Sequence, residues 1–233
     1  MLAQTETYNW KGFNLLPEVE LADADMRARG LLDVAIPTFA PIFRRYGFCD
    51  AWGIGLLHRH WLLVEGERPV QEMKAIKDGV EFVTRPRGSD FAHPLAPSIL
   101  RVATGDRPSL HALELSTDSD VHAANRLLNA TPAFADAFCH AAIVSGLADT
   151  FALIANKRLP DASAELVEYN YANRTSVLRE GSGEEDGGPV IQTSWRFVPD
   201  HDGIDCHFRC TAKCTPSGDG HTSGHNYNHG VDT

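Results

Sequence analysis

The chain has 233 residues, of which 43% are apolar and 22% charged, and a formal net charge of −10. That is enough for one sizeable hydrophobic core with an ordinary globular composition. An acidic surface repels phosphate backbones and anionic bilayers, so no nucleic acid and no membrane is expected among the partners.

The opening MLAQTETYNWKGF has neither a basic n-region nor an apolar h-region, and no stretch approaches the roughly 18 apolar residues that span a bilayer. The expectation is a cytoplasmic protein, in which cysteines serve as thiols or metal ligands rather than disulfides. Nothing in the sequence sets an oligomeric state.

Residues 18–46 read as helix, with Glu20, Asp23 and Asp25 at its start and an apolar stripe through Leu21, Met26, Leu31, Leu32 and Val34. Pro37 is expected to break it, and Phe39, Ile42 and Phe43 to begin a second short helix that ends at Gly47. Residues 51–64 are apolar and rich in strand formers, and 65–69 form a turn signal. Val80–Thr84, Ile99–Thr104 and Leu110–Leu115 read as strands. Asp118–Asn129 and Pro132–Ser145 read as helices, Pro132 being suited to a first helical position. Residues 146–153 extend that helix or begin a strand. Glu165–Leu178 and Val190–Val198 are further strands, the first with Leu166, Glu168, Asn170 and Ala172 on one face. The intervening EGSGEEDGGP reads as an exposed hairpin loop. Ile204–Arg209 is a last strand candidate. After Thr215 the only core-forming residue is Val231, so apolar burial cannot order this tail.

The fold class expected is α+β: a mainly antiparallel sheet with packed helices and a metal-ordered, irregular C-terminal segment. Residues 1–200 form one domain, and 201–233 a Cys/His-rich segment docked on it. No Gly-rich loop follows a strand, which argues against nucleotide cofactors held that way.

Three of the five cysteines lie between 206 and 214, and five of the eleven histidines lie after residue 200. Cys210-x3-Cys214 and His221-x3-His225 suit chelation of one zinc ion, or another transition metal, because short loops let paired side chains converge on a tetrahedral ion. Cys206, His207 and His229 are spare candidates. Zinc binding worth on the order of 10 kcal/mol would order what apolar burial cannot.

His58 and His60 stand two apart in Leu56-Leu57-His58-Arg59-His60, so in a strand they share a face and can grip one ion or move protons. Against this, both are equally suited to the solvent face of an edge strand. Arg59 then points inward and needs an anionic partner or ligand. Glu168 is a third ligand, a general base, or the salt-bridge partner of Arg174 or Arg59. The candidate catalytic set is therefore His58, His60, Glu168 and Arg59. Asp50, His111 and His140 are weaker, and Cys49 and Cys139 read as buried thiols.

The run Gly55-Leu56-Leu57-His58-Arg59-His60, together with the C-terminal Cys-x3-Cys and Gly-His-x3-His, resembles a group of uncharacterised fungal proteins. The resemblance implies that this strand and the tail belong together, and carries no activity.

The functional expectation is a metalloenzyme acting on a small-molecule ligand. The alternative is a non-catalytic, zinc-stabilised binding or interaction module. A third reading is metal buffering by the tail.

Overall fold

The structure is a computed structural model and describes residues 8–77, 79–157, 166–181, 190–197 and 204–211, the last segment by its backbone alone. The fold is α+β, with helices packed on a curled, mixed sheet. Ten strands among the described residues close into a barrel. They are β1 (Trp52–Leu56), β2 (Arg68–Ile76), β3 (Gly79–Arg87), β4 (Ala96–Ala103), β5 (Ser109–Ser116), β6 (Phe151–Ala155), β7 (Leu166–Tyr171), β8 (Thr175–Glu180), β9 (Val190–Phe197) and β10 (Ile204–Thr211). The order around the barrel is β1-β6-β4-β5-β2-β3-β8-β7-β10-β9, and β9 returns to β1. Every neighbouring pair is antiparallel except β2–β5 and β7–β10.

Five helices among the described residues accompany it: α1 (Trp10–Asn14), α2 (Val19–Ala28), α3 (Leu31–Tyr46), α4 (Ser119–Ala130) and α5 (Pro132–Val144). The outer face of β1, β4, β6 and β9 packs against α2–α5 in one large core. Phenylalanines dominate it. Phe48 stacks on Phe134 at 3.8 Å between ring centroids, Phe39 on Phe138 at 4.7 Å, and Phe43 meets Phe197 at 4.4 Å. Such pairs add about 0.5–1.5 kcal/mol each beyond their burial.

β1 and β6 are buried at every position, since one face meets this helical layer and the other the barrel interior. Gly53 faces inward, and a Cβ there would lie 2.2 Å from the carbonyl oxygen of Trp195. Only glycine lets β9 approach β1 so closely.

α3 does not break at Pro37. It continues through Pro37 and Pro41 to Tyr46, and the break falls earlier, at Gly30 with φ 60°. Both prolines are exposed, so the carbonyls left without intrahelical donors lie on the solvent side of the helix. The loop after β8 is not a hairpin, because β7 and β10 lie between β8 and β9; residues 182–189 themselves lie outside the described set. Glu165–Leu178 is two strands, joined by a turn in which Arg174 takes φ 56°. β10 brings part of the C-terminal segment into the barrel wall.

Cys49 and Cys139 are buried in the outer core. Burial pushes both thiols up, helped by Asp50 beside Cys49, and Cys139 reaches about 11. A maleimide near neutral pH should therefore leave both unlabelled in the native protein and label both in urea, as mapped by peptide mass spectrometry. Native labelling of Cys139 at the rate of a free thiol would contradict this packing.

Candidate functional site

β1 ends at Leu56, and His58 and His60 lie just beyond it in an irregular segment rather than within a strand. The expected long strand stops because residues 57–67 turn across the barrel end, leaving Leu62 and Val64 exposed. Leu57, Trp61 and Leu63 of this segment pack with Phe13 and Leu16 against Leu113 and Ala152.

Polar contacts hold the segment in place. Asn14 exchanges two hydrogen bonds with the Leu63 backbone, at 2.9 and 2.8 Å. The Arg59 backbone N–H donates to the Pro17 carbonyl at 2.9 Å. On the other side, Trp61 Nε1–H donates to the Arg174 carbonyl at 2.7 Å. The Arg174 guanidinium forms a bidentate pair with Glu67, at 2.7 and 3.0 Å. Burial alone would raise the Glu67 carboxyl, but the Arg174 hydrogen bonds and the Val64 N–H more than offset it and hold it below the usual range. Arg174 sits in the turn after β7, so these contacts tie the histidine segment to the strand that carries Glu168.

His58, His60 and Glu168 each offer a ligand atom, and these atoms lie within 4.8 Å of one another. His60 Nε2 is 3.1 Å from Glu168 Oε2, with only 12% and 15% of the two side chains exposed. The imidazoles of His58 and His60 meet edge to face, 4.6 Å between centroids. His58 Nδ1 lies 2.8 Å from the Leu56 carbonyl. A carbonyl can only accept, so Nδ1 carries the hydrogen, and in the neutral imidazole Nε2 holds the lone pair. Burial would raise the Glu168 carboxyl, but His60, first by charge and then by hydrogen bond, and His58 hold it below the usual range.

These three residues line a cavity inside the barrel of about 60 Å³, large enough to admit water. Its wall is mostly apolar, including Phe13, Leu16, Trp61, Leu113, Ile154 and Leu178, with Gln71, Ser98, Glu114, Lys157 and Thr193 as the further polar members.

Paired irregularities in β4 and β5 bring Glu114 in. The ladder skips Ser98 on one strand and Leu113 on the other, and bulges of this kind re-aim side chains. Ser98 Oγ–H donates to Glu114 Oε1 at 3.0 Å. Burial, with the charge of Glu168 second, pushes the Glu114 carboxyl up to about 7 against the pull of Lys157. Burial pulls Lys157 down, while Glu114 and other carboxylates draw it back.

Of the residues singled out in sequence, the structure thus brings together His58, His60 and Glu168. Arg59 does not line the cavity; its guanidinium faces Glu18 at 3.3 Å. Cys210 lies on β10, where the backbone alone is described, and Cys214, His221 and His225 lie outside the described residues. His140 and Asp50 are exposed, and exposed His111 bonds Ser109. Sequence reasoning missed Glu114 and Lys157. The sequence signal for Glu114 is a lone carboxylate between two leucines of a strand otherwise read as apolar.

No family model matches this chain, and no curated protein or solved structure is significantly similar to it.

Proposed function

We propose that the protein binds a divalent transition metal through His58, His60 and Glu168 and uses it on a small molecule held in the barrel cavity. The observation that carries this reading is the convergence of three ligand atoms within 4.8 Å at the wall of an internal cavity. Two imidazoles and one carboxylate suit Zn²⁺ or Fe²⁺ and leave coordination positions for substrate or water.

The His58 Nδ1–H bond to the Leu56 carbonyl is the second-sphere contact that fixes a ligating imidazole's tautomer. When bound, such a metal polarises a carbonyl or acidifies a water. Glu114, whose carboxyl burial pushes up to about 7, stands in the same cavity as a group that can give or take a proton. The apolar wall excludes bulk water, which strengthens each of these interactions. A site opening on a cavity favours this reading over a purely structural zinc clamp.

The test is direct. Untagged protein, supplemented with zinc or iron(II) and desalted, should retain about one equivalent by elemental mass spectrometry. Affinity should fall below about pH 6, where imidazoles take up protons. Retention below one-tenth of an equivalent with both metals would sink the proposal.

A further inference from the structure

Lys157 lines the same cavity as the histidines but has no part in holding a metal. β6 ends at Ala155, and Asn156 fixes the chain just beyond it. The Asn156 backbone N–H donates to the Ala51 carbonyl at 3.0 Å, and its Nδ2 donates to the Cys49 carbonyl at 2.9 Å. Lys157, the next residue, is only 5% exposed. Its Nζ lies 5.3 Å from the centre of the Phe82 ring, and Phe82 packs with Ile154, Leu166 and Leu178 in the inner cluster. The amine is therefore held against apolar groups at a cavity wall, where most lysines would reach into solvent.

Desolvation is what makes a lysine a nucleophile, because it disfavours the ammonium and uncovers the nitrogen lone pair. Burial is the largest influence on Lys157 and holds its amine below the ordinary range, against the charges of the carboxylates around it. The strongest of those carboxylates is Glu114, which lines the same cavity. A buried amine and a carboxyl that can relay its protons thus share one apolar chamber. Lysines so placed condense with carbonyl compounds, and exclusion of water protects the product from hydrolysis.

We infer that Lys157 forms an imine with a small aldehyde or ketone in the cavity, with Glu114 moving the protons. This rests on the cavity admitting a small molecule, as proposed above, and not on the metal. The Nζ lone pair attacks the carbonyl carbon, a C–N bond forms, and the oxygen takes the Glu114 proton. The nitrogen then returns a proton to the Glu114 carboxylate, which passes it to the new hydroxyl. The C–O bond breaks, water leaves, and the nitrogen lone pair closes the C=N bond. The protonated imine is left beside the Glu114 carboxylate. No oxidant or reductant is consumed.

The experiment traps the imine in the full chain with butanone and cyanoborohydride near neutral pH, first with chelator present and then after zinc loading. Peptide mass spectrometry compares Lys157 with Lys11 and Lys74 of the same molecule. Lys157 should be alkylated roughly 10-fold faster or more, the gain in free amine that one unit of lowered pKa gives, and the preference should vanish in urea. Glu114→Gln, with the fold checked by circular dichroism, should slow alkylation of Lys157 about 100-fold, as loss of a general acid does. If Glu114 acted by charge alone, its loss would leave the amine more neutral and speed the reaction. Native alkylation of Lys157 no faster than of Lys11 would overturn the inference, as would unchanged or faster alkylation in Glu114→Gln. Either result would leave the metal reading standing if zinc is retained. Preferential alkylation in chelated protein that retains no metal would sink the metal reading alone.

Discussion

Replacing Glu168 by Gln or His60 by Ala is expected to weaken metal binding by about 100- to 1000-fold. The magnitude follows from the total: structural zinc sites bind with about 10–16 kcal/mol over four ligands, or roughly 2.5–4 kcal/mol each, and each 1.4 kcal/mol is tenfold. Glu168→Gln is the sharper variant, because it keeps the shape of the side chain and removes only the charge.

The same substitution has a pH signature without metal. The folded Glu168 carboxyl is held below its ordinary 4.5, so its ionised form contributes stability above that value and loses it as pH falls through the lowered folded value. Wild type should therefore exceed Glu168→Gln in thermal stability near neutral pH, and the gap should close in acid. Isothermal titration and melting curves read the two effects separately. Unchanged zinc and iron affinity in both Glu168→Gln and His60→Ala would remove these residues from any metal site.

How far the sequence foretold the molecule depended on how local each determinant is. α4 and α5 were legible because Asp118 caps the first, accepting the Asp120 N–H, and Pro132 opens the second. The strands read from Val80, Ile99, Leu110 and Val190 were legible by composition. β2 was missed because Arg68-Pro69 resembles a turn, yet these two residues open a strand directly after Glu65-Gly66-Glu67. Pro37 misled because a proline's effect in a helix depends on which face it occupies, and that face was not known in advance.

The pairing of His58 and His60 was readable from their spacing, although the strand that motivated it ends two residues earlier. Their meeting with Glu168 depends on barrel closure across more than a hundred residues of sequence. Glu114 reaches the same cavity through a bulge, which plain alternation does not reveal. The carboxylates of Glu18 and Glu67, which claim Arg59 and Arg174, are likewise set by tertiary structure.

Breaking the Arg174–Glu67 pair should weaken metal binding about 10-fold, and by up to about 100-fold, the range for losing the outer contacts that orient metal ligands. The pair is partly exposed, with 36% of the Arg174 side chain in solvent, so its own worth to stability is no more than about 1 kcal/mol after screening. Its leverage is positional, because it fixes residues 61–67 against the turn that follows β7 and so keeps His60 beside Glu168.

Arg174 also takes φ 56°, a left-handed conformation that costs a non-glycine residue about 1–2 kcal/mol. Arg174→Gly removes the ion pair and this strain together. It should melt within a few degrees of wild type while binding metal at least several-fold more weakly. Arg174→Ala keeps the strain and loses the pair, so it should lose both stability and affinity. Arg27→Ala, which breaks the exposed Arg27–Asp23 pair on α2, should change neither. If affinity followed melting temperature across the three variants, Arg174 would be only structural. A weakened but stable Arg174→Gly would show that the protein tolerates the strained turn in order to hold the histidine segment in register with Glu168.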